Sequence, residues 1–141
     1  MKELLKKLNY KGQLRIAVIN AEQSFYRAVA AELKGVITDD DIDQRCPYEF
    51  MILFAKNTEE VELLAPVALH NLTADGILWF CYPKKSSKKL KSNLERDKGW
   101  KAMNDAGFFG IRMVSVNDDW SAMRFRNMKF IKSSSGRFTK Q

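Results

Sequence analysis

The 141-residue chain is predicted to fold as a three-layer α/β domain whose mostly parallel sheet ends in a carboxyl-terminal antiparallel hairpin. Three observations predict this. Ile77-Leu78-Trp79-Phe80-Cys81-Tyr82 is an unbroken apolar and aromatic run, opened by Asp75-Gly76 and closed by Pro83. Such a run suits a strand covered on both faces, hence an inner strand of a parallel sheet. Apolar runs of strand length also alternate with stretches of helical period along the chain. Finally, Ser121-Ala122-Met123-Arg124-Phe125-Arg126 alternates with period two just after the turn-like Asn117-Asp118-Asp119, which is the signature of a strand folding back on its predecessor.

Taken in order, Leu4, Leu5 and Leu8 predict a short helical turn, and Leu14–Ile19 a first strand. Phe25, Val29 and Leu33 recur at four-residue spacing and predict a helix over Ser24–Lys34, stopped at Gly35. Val36–Thr38 is a short strand candidate, and Tyr48–Ala55 a second strand apolar on both faces. Asn57 with Glu60 has capping-box spacing, and Val61, Leu64, Ala65, Ala68 and Leu72 mark the helix face that follows, bent at Pro66. Beyond Pro83, Ser92 and Glu95 repeat the capping spacing and predict a further helix bearing Leu94, Trp100, Met103 and Ala106, ended by Gly107. Ile111–Val116 is the strand before the hairpin turn. Residues 1–132 are read as one domain and 133–141, serine-rich and basic, as a disordered tail.

Composition narrows the function classes. With 45% hydrophobic and 29% charged residues the chain can bury one core without metal or disulfide help. Cys46 and Cys81 are far apart and match neither a disulfide framework nor a zinc pattern. The amino-terminal stretch lacks the apolar centre of a signal peptide, and no run approaches a membrane span; a cytoplasmic protein is expected. The net charge of +7 is concentrated: residues 84–101 carry eight Lys or Arg against Glu95 and Asp97, and residues 124–141 carry six against none. A polyanion partner, or simply a solvated surface, accounts for such blocks.

Inner strands of α/β sheets deliver their last residues to the edge where ligands bind. Tyr82, Lys84, Lys85, Ser86 and Ser87 therefore form the leading candidate site, with Arg96 nearby and with Asp119 and Trp120 brought alongside by the hairpin. Lysines neutralise anionic oxygens and serines donate to them, although no GxxxxGK[ST] phosphate loop is present. The competing expectation is that Asp118 and Asp119 pair with Lys84 or Lys85 and consume those charges. Arg124 and Arg126 share one strand face and form a second candidate anion grip, weighed against an ordinary salt-bridged outer face. His70, the one histidine, stands apart from any catalytic grouping, and no His, Cys, Asp or Glu set has metal-ligand spacing. A pocket beside Pro83 would speak for a small anion; a flat basic surface would speak for nucleic acid.

The order of elements resembles the later part of a Rossmann-like methyltransferase fold with its early part shortened. The turn after the first strand, Asn20-Ala21-Glu22-Gln23-Ser24, has no glycine, whereas such folds use glycines there to let the backbone approach the cofactor. Asp39, Asp40 or Asp41 stand where a ribose-binding acid is expected. Three motifs in order, Tyr82-Pro83-Lys84-Lys85-Ser86-Ser87, then Arg96-Asp97-Lys98-Gly99-Trp100, then Asp118-Asp119-Trp120-Ser121-Ala122-Met123-Arg124-Phe125-Arg126, resemble a family of small bacterial proteins of unknown function. The resemblance implies a bacterial cytoplasmic protein and assigns no catalytic roles. The expectation is thus a binding or accessory module without an assigned cofactor, taking an anionic small molecule or nucleic acid at the sheet edge. The alternative is an S-adenosylmethionine-dependent methyltransferase-like enzyme with a divergent cofactor loop.

Overall fold

A computed structural model describes residues 1–131; the predicted tail, 133–141, lies outside the described residues. The elements are α1 (Lys2–Lys7), β1 (Arg15–Ile19), α2 (Gln23–Glu32), β2 (Ile37–Asp39), β3 (Tyr48–Phe54), α3 (Thr58–His70), β4 (Leu72–Pro83), α4 (Lys101–Asn104), β5 (Phe108–Ser115) and β6 (Trp120–Asn127). The six strands form one sheet in the order β2-β1-β3-β4-β6-β5. Neighbours are parallel from β2 through β4, and β6 runs antiparallel to both β4 and β5. The three-layer architecture and the closing hairpin are as predicted.

β4 is an inner strand because both of its faces must be covered. Leu78, Phe80 and Tyr82 enter the layer made with α3 and α4, where Val61, Ala65, Trp100 and Met103 pack. Ile77, Trp79 and Cys81 enter the layer made with α1 and α2, among Leu5, Leu8 and Val29. None of the six is more than 9% exposed, and burying a large side chain contributes roughly 1.5–3 kcal/mol. Trp79 keeps its polar edge satisfied by donating from Nε1 to the Leu8 carbonyl at 2.8 Å.

Asp75-Gly76, expected as a turn before β4, lies inside it as a bulge: Tyr48 pairs with Leu72 but Phe50 pairs with Ile77. The extra residues are absorbed by Asp75, whose φ of 55° is left-handed. The capping prediction for α3 holds, since Asn57 Oδ1 accepts from the Glu60 amide at 2.9 Å, and Pro66 sits within that helix.

The helix predicted to begin near Ser92 does not form there. Ser92 Oγ accepts from the Leu94 amide, closing a local turn instead of capping a helix. The chain then reverses, with the Glu95 and Lys98 backbones bonded to each other, and passes through Gly99 at φ 98°. Only four residues, Lys101–Asn104, are helical. Tertiary packing fixes this segment: Leu94 and Trp100 are both buried, and Trp100 Nε1 donates to the Glu95 carbonyl at 2.7 Å.

A candidate ligand-binding edge

The carboxyl ends of β1, β3 and β4 and the start of β6 meet on one edge of the sheet. The hairpin brings its turn to the lysine loop as predicted. The Lys84 amide donates to the Asp119 carbonyl at 2.8 Å, and Ser87 Oγ donates to Asp119 Oδ1 at 2.8 Å. Ser87 Oγ in turn accepts from the Leu90 amide at 3.1 Å, so this serine organises the loop.

The predicted site residues do not all share one surface. Tyr82, Lys84, Lys85, Ser86 and Arg96 border an open cleft of about 440 Å³ on the α3–α4 side. Lys84, Lys85 and Ser87, joined by Pro83, Lys88 and Lys91, border an adjoining one of about 560 Å³. Asp119 and Trp120 line a third cavity, of about 300 Å³, on the α1–α2 side. The division follows from strand geometry, because Tyr82 and Trp120 come from cross-strand pairs one step apart, Tyr82 with Ser121 and Pro83 with Trp120, and so face opposite sides of the sheet.

The predicted pairing of Lys84 or Lys85 with Asp118 or Asp119 is not what the chain does. Lys85 Nζ reaches Glu95 Oε1 at 2.9 Å, and Lys84 Nζ donates to Ser115 Oγ at 2.7 Å. Asp119 is engaged by Ser87. Arg96 pairs with its neighbour Asp97 at 3.1 Å, in the reversed loop and not at a helix start. Both of these ion pairs are well exposed, where such contacts contribute about 0–1 kcal/mol. Lys84, Lys88, Lys89 and Lys91 have no carboxylate partner among the described residues. Tyr82 is buried, its hydroxyl donates to the Met113 sulfur at 3.4 Å, and desolvation pushes its pKa up to about 12.

The 300 Å³ cavity is walled by aromatic rings. Phe25 meets Phe54 edge to face at 4.8 Å, and Phe54 meets Trp120 at 5.0 Å. Glu22, Lys89, Leu90, Asn117 and Asp119 add polar and apolar rim. Phe25, Phe54 and Glu22 were not among the predicted site residues. They follow from the rule applied to β4 once it is applied to every parallel strand: Phe54 is the last residue of β3, and Glu22 and Phe25 flank the start of the helix after β1.

Of the second candidate site, Arg126 is committed. Its Nε and Nη2 donate to the two carboxylate oxygens of Asp75, each at 2.7 Å. Among the described residues no set of His, Cys, Asp or Glu is placed to hold a metal ion, and no helix is long and apolar enough to cross a membrane.

No protein-family description and no curated protein matches the chain. Solved structures do. Phosphoethanolamine N-methyltransferase 2 of Haemonchus contortus, in complex with phosphomonomethylethanolamine and S-adenosylhomocysteine, superposes with a TM-score of 0.53 at 12% identity, over 93% of this chain and 38% of that one. The same enzyme with S-adenosyl-L-methionine gives 0.52 at 13% identity, over 93% and 38%. TehB of Haemophilus influenzae gives 0.50 at 7% identity, over 90% and 62%. The chain thus spans well under two thirds of the Haemonchus contortus enzyme. At such identities the likeness shows the fold: a Rossmann-like, methyltransferase-type α/β sheet.

Folds of this type take S-adenosylmethionine in the crevice where the connections after β1 and β3 diverge, and three features there depart from the pattern such folds use. The Asn20 side chain spans the crevice, donating from Nδ2 to the Phe54 carbonyl at 2.8 Å and to Glu60 Oε1 at 3.1 Å. The turn from β1 into α2 is three residues long and contains no glycine. Asp39, at the end of β2, accepts from Arg15 Nε at 2.7 Å and from the Tyr48 hydroxyl. Desolvation, together with that bond to Asp39, pushes the Tyr48 pKa up to about 12. Asp40 and Asp41 have no such anchoring role, and Asp41 closes a local turn onto the Ile42 amide.

Proposed function

We propose that this chain is a ligand-binding protein on the methyltransferase-type frame and that its ligand bears a nucleoside. The observation that carries this is the aromatic-walled cavity of about 300 Å³ at the carboxyl edge, bordered by Phe25, Phe54 and Trp120. Its size sits at the lower end of small-molecule sites, and its walls suit a flat base, which pairs with aromatic rings face on or edge on. Glu22 at its rim is an acceptor for sugar hydroxyls. Leu90 is shared between this cavity and the lysine-lined cleft beside Pro83, so a molecule with its base among the rings has cations within reach for phosphates. Concave surfaces at this edge favour a small ligand over a nucleic acid strand.

Two versions of the ligand divide the reading. A nucleoside phosphate uses the lysines. S-adenosylmethionine is favoured instead by the solved neighbours, whose fold and bound ligands speak more for a methyltransferase-like protein than for a bare anion site. Against it stand the Asn20 bridge and the engaged Asp39.

Calorimetry with AMP, ADP, ATP, S-adenosylmethionine and S-adenosylhomocysteine, read in parallel by tryptophan fluorescence, tests both. Trp120 lines the cavity and Trp79 and Trp100 do not, so an emission change that Trp120→Phe abolishes reports that site. Affinity rising with phosphate number and lost on Lys88→Ala/Lys89→Ala supports the nucleotide version. Binding of the adenosyl-methionine pair alone supports the methyltransferase version. In the nucleotide version, Lys84→Ala/Lys85→Ala weakens binding at an unchanged melting temperature. Absence of binding by all five overturns the proposal.

A further inference from the structure

The hairpin carries a second group of cations, away from the lysine loop. Arg124 on β6 lies directly opposite Arg112 on β5 and opposite Trp79 on β4. Directly opposed residues of antiparallel strands project to the same face with Cβ atoms about 4.5–5.5 Å apart. Arg126, two residues along, shares that face. Three guanidinium groups thus crowd one patch, and the one carboxylate facing them among the described residues is Asp75, held by Arg126 through both oxygens.

Arg124 is the uncompensated member. It has no hydrogen-bond or ion-pair partner among the described residues, and its Nε is buried without one. Burial, and then the nearby charge of Arg126, lower its pKa, as does Arg112, with Asp75 opposing. Its Nη nitrogens are not among the buried unpartnered atoms, and Arg112 beside it is exposed. Like charges directly opposite each other on a sheet are destabilising, and a half-buried cation with an orphan donor adds to that cost. An anion seated between the two side chains, on the accessible Nη nitrogens, offsets the repulsion between them.

We propose that Arg112 and Arg124 form an oxyanion site for a phosphate group carried by a small molecule. Two guanidinium groups offer paired donors to the oxygens of a tetrahedral dianion. The patch nets two positive charges over three arginines and one aspartate, matching a dianion better than a single carboxylate. It stands four residues along β6 from Trp120, roughly 13 Å at strand rise, and is therefore separate from the aromatic cavity.

The test is thermal melting and calorimetry of the full chain with inorganic phosphate and with glycerol phosphate, against acetate and chloride at matched ionic strength. Saturable stabilisation by the phosphates, following the logarithm of their concentration over Kd, is the expected result. Arg124→Gln and the exposed Arg112→Gln each weaken it about tenfold or more, the scale of one charge-assisted hydrogen bond. Asp75→Asn, which removes the patch's negative charge, strengthens phosphate binding. Lys101→Gln, an exposed cation on α4 in the other layer of the sheet, leaves it unchanged. Equal stabilisation by acetate or chloride, full retention in Arg112→Gln, or loss in Lys101→Gln overturns the assignment.

Discussion

Replacing Asp75 by Asn removes a charge and little else, because asparagine has nearly the same shape and tolerates the left-handed φ of 55° found there. The wild-type pair has two parallel N–H···O contacts of 2.7 Å, with both side chains 32% exposed. Fully exposed pairs contribute about 0–1 kcal/mol, and breaking a fully buried one costs about 3–5 kcal/mol. A pair one third exposed falls between, nearer the lower figure, so the variant should lose about 1.5 kcal/mol. For a domain of this size that is a fall of roughly 5 °C in melting temperature.

The pH dependence gives the sharper check on that charge. Hydrogen bonding from Arg126 holds the Asp75 carboxyl below its ordinary value. A depressed folded pKa means the stabilisation is complete above the unfolded value, about 3.9, and is lost as pH falls through the lower folded one. Melting curves of both proteins between pH 7 and pH 2 should therefore show a constant gap down to about pH 5 that narrows below pH 4. Equal stability at neutral pH would refute the argument, as would a gap that persists undiminished at the acid end.

Gly99→Ala should be among the most damaging single changes in the lysine-loop region. Its φ of 98° is left to glycine, and an added Cβ would lie 2.6 Å from Leu94 Cδ2; positive φ alone costs about 1–3 kcal/mol, and a urea midpoint within error of wild type would contradict this. The two thiols should separate cleanly under a thiol reagent. Cys46 is partly exposed and should label in the native state, while Cys81 is buried with its pKa raised by desolvation and should label only on unfolding; rapid labelling of both would show that β4 is not an inner strand.

What could be read from the sequence was whatever local pattern and burial decide together. Ile77–Tyr82 announced an inner strand because a run of six apolar or aromatic residues between Asp75-Gly76 and Pro83 has strand length and needs cover on both faces, and the hairpin announced itself through alternation at Ser121–Arg126. Asn57 and Glu60 gave a true helix start. Ser92 and Glu95 have the same spacing but gave a turn, in a reversed loop that buries both Leu94 and Trp100. The candidate edge was half legible. Lys84–Ser87 could be placed from β4 alone, whereas Phe25 and Phe54 come together only when β1 and β3 are known to be neighbours. Which carboxylate Lys85 would choose depended on the path of residues 92–98, and that path is set by packing.

The bond between Trp79 and the Leu8 carbonyl spans 71 positions of sequence. A six-residue helix does not persist in water by itself, so α1 has no means of organising the chain before its receptor surface exists. That surface is the middle of β4, itself dependent on β3. Contacts of such separation close late because the loop entropy must be met first. The amino-terminal segment is accordingly a cover whose place depends on the centre of the sheet, and truncating it would bare the indole edge of Trp79.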